Sequence, residues 1–198
     1  FVPAAWGGGL WLYEGGTPDL GTAGAGRMAL AVDASTAGTN PAGMTRLDRS
    51  QMLAAAQGLY INARFDTELS GFGGGDGGNA GGFVTSGSLH YVHRVTDDFR
   101  LGITAGSYFG LGVDYGENLA GRYYATEAEL LTYGVNPSAG YRVNNWLSLG
   151  AGFSILYASL DQKAAINNSA VPGQAGSPDG SVELDDDDVA YGYNFGLM

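Results

Sequence analysis

Between Val189 and Leu197 the chain reads VAYGYNFGL, with Val189, Tyr191, Tyr193, Phe195 and Leu197 interleaved with Ala190, Gly192, Asn194 and Gly196. Side chains two apart on an extended strand share a face. This segment therefore has one bulky apolar face and one small or polar face. LSLGAGFSILY repeats the pattern, with Leu147, Leu149, Ala151, Phe153, Ile155 and Tyr157 against Ser148, Gly150, Gly152 and Ser154. RLGITAGSYFGLGV does so again, with Leu101, Ile103, Phe109, Leu111 and Val113 against Gly102, Thr104, Gly106, Gly110 and Gly112. In a water-soluble sandwich the second face would meet water and carry Lys, Glu and Arg. Here it carries Gly, Ser, Thr and Asn. That inversion suits a barrel whose outside meets lipid and whose crowded interior must leave room for something. Trp146 and Tyr157 stand at the two ends of their strand, where interfacial aromatics are expected.

Six such strands are predicted, near 51–65, 82–95, 99–113, 123–143, 146–160 and 189–198. Thr96-Asp97-Asp98 and Val143-Asn144-Asn145 read as tight turns. Asp66 to Gly81, Asp114 to Arg122 and Asp161 to Asp188 read as mostly long loops rich in Gly, Asp, Asn and Ser. Short turns on one side and long loops on the other describe an outer-membrane barrel. Six strands do not close one, because single-chain barrels start at about eight and open edges are not tolerated in lipid. Met198 falls in mid-strand, so the expectation is the N-terminal part of a longer protein, or a barrel completed by another chain. FVPAAW at the start is read as what remains after a signal peptide has been removed.

Composition narrows the alternatives. The 35 glycines among 198 residues are far above the usual share of about 7%, yet the mean hydropathy of −0.04 argues against a solvated disordered chain. No apolar run approaches the roughly 18 residues of a transmembrane helix. The net charge of −11, with scattered basic residues, argues against nucleic-acid binding. The absence of cysteine removes thiolate catalysis, disulfides and cysteine metal sites.

Glu14-Gly15-Gly16, Gly24-Ala25-Gly26-Arg27 and DASTAGTNPAGMTRL (33–47), followed by FRLGITAGSYFGLGV, AGYRVNNWLSLGAGFSILYA and AYGYNFGLM in that order, resemble the FadL family of outer-membrane long-chain fatty acid and hydrocarbon transporters. The resemblance covers nearly the whole chain. It implies an all-β fold: a transmembrane antiparallel β-barrel of about fourteen strands, the first six of them here. It also implies an N-terminal hatch inside the barrel over residues 1–47, with the incomplete barrel over 48–198. Asn40, Pro41 and Ala42 match the family's hatch motif, and the residue chemistry agrees. Proline fixes φ and lacks an N–H, the residue before it is pushed out of helix, and asparagine bonds neighbouring backbone. An ordinary Asn-Pro turn is the plain alternative.

The family's third strand is kinked to open a gap through which cargo leaves sideways. Phe109 and Gly110 fall at that place, although Gly110 also suits a strand that merely keeps the lumen roomy. A fatty acid carboxylate needs a cation or donors, and Lys163, the only lysine, lies near the family's basic position after the fifth strand. A solvated loop lysine is the alternative. Trp11, Leu12 and Tyr13 in the hatch, with Phe109 and Leu156, are the expected apolar ligand contacts.

Other signals carry less. Gly73, Gly75 and Gly78 match GxGxxG without a following helix and read as a flexible loop. Asp185 to Asp188 read as a solvated loop, with a bound cation or a divalent bridge to lipopolysaccharide as the alternative. His90 and His93 fall on opposite strand faces and share no metal. Ser88 and His90 share a face, the minimum for a lipid hydrolase, but no orienting acid is fixed by spacing. The expectation is a passive transporter of hydrophobic molecules in the bacterial outer membrane, not an enzyme, without cofactor or metal. Its partners would be cargo, outer-membrane lipid and lipopolysaccharide, and the strands that complete the barrel. The rivals are a structural or adhesive barrel and, more remotely, an outer-membrane lipid hydrolase.

Overall fold

The computed structural model describes residues 15–68, 71 and 73–198. Trp11, Leu12 and Tyr13, and Glu14 with them, lie outside the described residues. Among the described residues seven strands form one antiparallel sheet: β1 (Gln51–Ile61), β2 (Gly82–Arg94), β3 (Phe99–Gly106), β4 (Gly110–Asp114), β5 (Glu127–Arg142), β6 (Ser148–Ile166) and β7 (Gly180–Leu197). Their spatial order is β1-β2-β3-β5-β6-β7, with β4 alongside β5. No described helix is long and apolar enough to cross a membrane.

The connections alternate in length as expected. β2 turns into β3 through 95–98, where the N–H groups of Val95 and Thr96 donate to Phe99 O. β5 turns into β6 through 143–147, where Asn144 Oδ1 accepts from the N–H groups of Trp146 and Leu147 at 3.0 and 2.9 Å. The connections 62–81, 115–126 and 167–179 lie at the other end of the sheet.

The apolar face points outward. On β7, Tyr191, Tyr193, Phe195 and Leu197 are 68%, 74%, 76% and 70% exposed, while Gly196 between the last two is buried. A soluble protein would not leave such a face uncovered. The inner face receives residues 15–47, folded into α1 (Arg27–Leu30), α2 (Thr36–Thr39) and two 3₁₀ turns, Pro18–Thr22 and Pro41–Arg46. Ala34, Ala37, Met44, Leu47 and Val92 form the core between this segment and the sheet. Gly150 and Gly196 allow the approach. A Cβ on Gly150 would collide with the Ala42 amide nitrogen, and one on Gly196 with Asn40 Oδ1.

The strand expectations need four corrections. The first strand, β1, ends at Ile61 rather than 65. The third strand is not continuous, because β3 ends at Gly106 and β4 begins at Gly110. The fourth expected strand, β5, begins at Glu127 rather than 123. The last two run further than expected, so the loop between them is only 167–179. Asp185 to Asp188 are therefore strand residues, paired with Asp161, Leu160, Ser159 and Ala158 of β6. Alternation turns them to opposite faces, so they do not converge on one ion. Among the described residues no cluster suited to a metal occurs.

Candidate functional site

Asn40 fastens the N-terminal segment to the sheet. Its Nδ2 donates to Met28 O at 2.8 Å and to Leu197 O on β7 at 3.1 Å, and its Oδ1 accepts from Ala42 N–H at 3.2 Å. Pro41 opens the 3₁₀ turn and, like Ala42, is buried. Further fastenings follow along the same turn. Thr45 Oγ1 donates to Ser148 Oγ at 2.8 Å, Arg142 donates to Thr45 O, and buried Arg100 donates to Leu47 O at 3.0 and 3.2 Å. Residues 40–47 are thus tied to β3, β5, β6 and β7. Upstream, Asp19 is paired with Arg27 and accepts from Thr17. Burial alone would raise its pKa, but the hydrogen bonds from Arg27 and Thr17 together hold the carboxyl below its ordinary value.

The break in the third strand is the other feature. On β5 the partner of Gly106 is Gly134 and the partner of Gly110 is Leu131. Four steps along one strand thus oppose three along the other, the count of a bulge with one extra residue. Within it, Phe109 turns to Thr132 of β5. Thr132 Oγ1 accepts from Phe109 N–H at 2.8 Å and donates to Phe109 O at 2.7 Å. The ring of Tyr108 lies over Gly134 on the inner face, next to Leu156.

The extra residue also inverts the faces. Gly110 and Gly112 stand beside Leu131 and Glu129, which are on the outward row of β5, whereas Val113 stands beside Ala128 on the inward row. The expected placement of Val113 outside and Gly110 inside is reversed.

β2 loses its partner here. Its pairing with β3 runs from Arg94 only to Ser88, which faces Gly106, and the stretch 82–87 is laddered to β1 alone. The gap is closed at its far end where Asp114 N–H donates to Ala80 O at 2.9 Å. A cavity of 980 Å³ occupies it. Ile61, Val84 and Ser86 line it from the inner face, and Leu131, Tyr133 and Tyr157 from the outer one, so it runs through the sheet. Thr132, Tyr108 and Glu129 help to build this window, and none stands out in the sequence.

Other expected residues are dispersed. Leu156 is on the inner face near Tyr108. Lys163 lies within β6 rather than after it, and its Nζ sits 2.9 Å from Glu127 and 3.4 Å from Glu183. Its charge is already answered by two carboxylates, which weakens it as an anchor for a ligand carboxylate. Ser88 Oγ donates to Gly15 O at 2.7 Å and lies 3.0 Å from His90 Nε2, so Nε2 carries the hydrogen of that contact. His90 Nδ1 has no hydrogen-bond partner. The serine proton is held by a backbone carbonyl and no acid orients the ring, unlike a nucleophilic pair. His93 is on the opposite, exposed face beside the Tyr91 hydroxyl at 3.1 Å. At the loop end, Arg122 donates to Asp179 at 2.7 Å and to the Tyr123 hydroxyl at 2.8 Å, and also to Gly73 O at 3.3 Å. It keys three loops together.

A sheet with lipid-type outer polarity, a segment fastened to its inner face and a break in one strand are the features of the wall of an outer-membrane β-barrel protein. The chain belongs to the outer membrane protein transport protein family (OMPP1/FadL/TodX), whose pattern it matches over residues 2–198, and this places it in the bacterial outer membrane. It is 29% identical over 215 residues to the long-chain fatty acid transport protein of Escherichia coli, covering 98% of this chain and 47% of that protein. In fold it is similar to a Pseudomonas aeruginosa FadL homologue, with a TM-score of 0.65, 25% identity and coverage of 83% of this chain and 44% of that one. The Ralstonia pickettii toluene transporter TbuX gives a TM-score of 0.59 at 19% identity, covering 84% of this chain and 49% of that one, a likeness of fold alone. The chain spans about half the length of the curated relative it matches. The Escherichia coli and Ralstonia pickettii proteins are named as transporters, not enzymes.

Proposed function

We propose that this chain supplies the plug and the first strands of a passive channel for hydrophobic molecules such as long-chain fatty acids or hydrocarbons. Cargo is caught at the long loops, enters the interior beside residues 1–47, and leaves sideways into the membrane through the window between β2 and β4. Movement of the plug gates the path, and binding and gating, with no chemistry, carry the function. Lipid and lipopolysaccharide surround the outer face, and strands beyond β1 and β7 complete the barrel.

The observation that carries this reading is the 980 Å³ cavity lined from both faces at the broken strand. In the full-length protein, Gly110→Trp puts an indole into that opening. Uptake of a radiolabelled fatty acid by outer-membrane vesicles is expected to fall about ten-fold or more while heat-modifiable gel mobility shows an assembled barrel. Unchanged uptake in the assembled variant overturns lateral exit. An assembled wild-type protein that takes up no fatty acid or hydrocarbon at all supports the structural or adhesive barrel instead.

A further inference from the structure

We infer that the window passes uncharged cargo and that Glu129, on its outer rim, is the residue that sets this preference; the inference rests on the reading of the window as the exit. Among the described residues lining the window there is no Lys, Arg or His, and its one charged side chain is Glu129. The rest of the lining is aliphatic, glycine, or neutral hydroxyl such as Ser107, Tyr133 and Tyr157. Hydroxyls suffice for an alcohol or a protonated acid, but they leave an anion without a countercharge as it loses water.

Glu129 is placed to act on what passes. It is exposed on the outward row of β5, and its Cγ lies 3.8 Å from where a Gly112 Cβ would stand. On its other side it pairs across the sheet with Asp161 of β6, which in turn pairs with Asp185 of β7. Like charges directly opposite one another on a sheet are destabilising, and together these three carboxylates give the outer rim an anionic field. The nearest cation in the next cross-strand row, Lys163, is held between Glu127 and Glu183. An anion leaving the window meets a rim of five carboxylates, Glu127, Glu129, Asp161, Glu183 and Asp185, against the single cation Lys163, and their net repulsion acts on it through salt-screened surroundings. A neutral chain of the same length does not.

The test uses the full-length protein in proteoliposomes and two probes with the same alkyl chain, hexadecanol and the permanently charged hexadecanesulfonate. With the flux through protein-free vesicles subtracted, the wild type is expected to pass the alcohol about ten-fold faster than the sulfonate. Glu129→Gln, nearly isosteric and on an exposed row, is expected to raise the sulfonate-to-alcohol ratio about three- to ten-fold. Raising ionic strength from about 0.01 M to 0.15 M is expected to lift that ratio in the wild type more than in Glu129→Gln, because screening acts on the charge the variant lacks. Equal rates for the two probes in the wild type overturn the inference whether or not the variant folds. A ratio that Glu129→Gln leaves unchanged also overturns it. If neither probe crosses, the exit reading falls as well.

Discussion

Asn40 makes three hydrogen bonds with one buried side chain, donating to the Met28 and Leu197 carbonyls and accepting from the Ala42 N–H. Asn40→Ala leaves Met28 O and Leu197 O without that donor, at a cost of about 1–3 kcal/mol. The loss is local to the contact between residues 28–45 and the end of β7. Hydrogen exchange is expected to quicken over residues 28–45 and at the end of β7, while β2 and β5 keep their protection; uniform loss of protection would show that the junction is not a separate unit. The role of Asn40 was legible because Asn-Pro chemistry and the flanking residues both point to it. That of Thr132 was not. A threonine in LLTYG reads as an ordinary small inward residue, and only the missing ladder partner opposite gives its hydroxyl two bonds to Phe109.

At the scale of elements, one inserted residue builds the window. Deleting Tyr108 would leave three steps opposite three, restoring an even count between the third strand and β5. The healed strand can then ladder with residues 82–87 of β2 across the present gap, each new hydrogen bond adding about 1 kcal/mol. The expected outcome is a barrel that resists urea better and takes up about ten-fold less cargo or worse. A deletion variant with normal uptake would place the exit elsewhere. The break itself was hidden in the sequence. Ser107, Tyr108 and Phe109 have no breaker among them, and Phe109, Leu111 and Val113 continue the odd-numbered apolar phase of Leu101 and Ile103. The resemblance pointed to Phe109, within the break, and Gly110, just after it, but not to the inversion of faces that follows. β6 and β7 also extend past the expected ends. An aspartate run has low strand propensity, yet pairing with β6, including the row that joins Glu127, Lys163 and Glu183, holds those residues in the sheet.

For the molecule as a whole, the period-two alternation revealed the membrane orientation directly, since the outward apolar face of β7 follows the sequence phase residue for residue. Contacts between distant loops left no such trace. Arg122 joins Gly73, Asp179 and its own loop, and its hydrogen bond and charge hold the Asp179 carboxyl below its ordinary value, with Tyr123 adding to the effect. A carboxyl lowered in the folded state stabilises above its ordinary pKa, about 3.9. That contribution fades as pH falls through the lowered value. Limited proteolysis of loops 115–126 and 167–179 is therefore expected to stay slow from neutral pH down to about pH 4 and to quicken below it. In Arg122→Ala it should be fast throughout; an equally slow and pH-flat wild type and variant would show that this cluster does not hold the loops.

In the proposed function cargo crosses the wall between β2 and β4. Photolabelling the full-length protein with a diazirine-bearing fatty acid during uptake, and mapping the adducts by mass spectrometry, shows whether it does. The expected adducts fall on both sides of the window, on Ile61 and Val84 inside and on Leu131, Tyr133 and Tyr157 outside, and the outer ones disappear when Tyr108 is deleted. Active uptake with adducts confined to the interior, or outer adducts that persist after the deletion, would contradict lateral release.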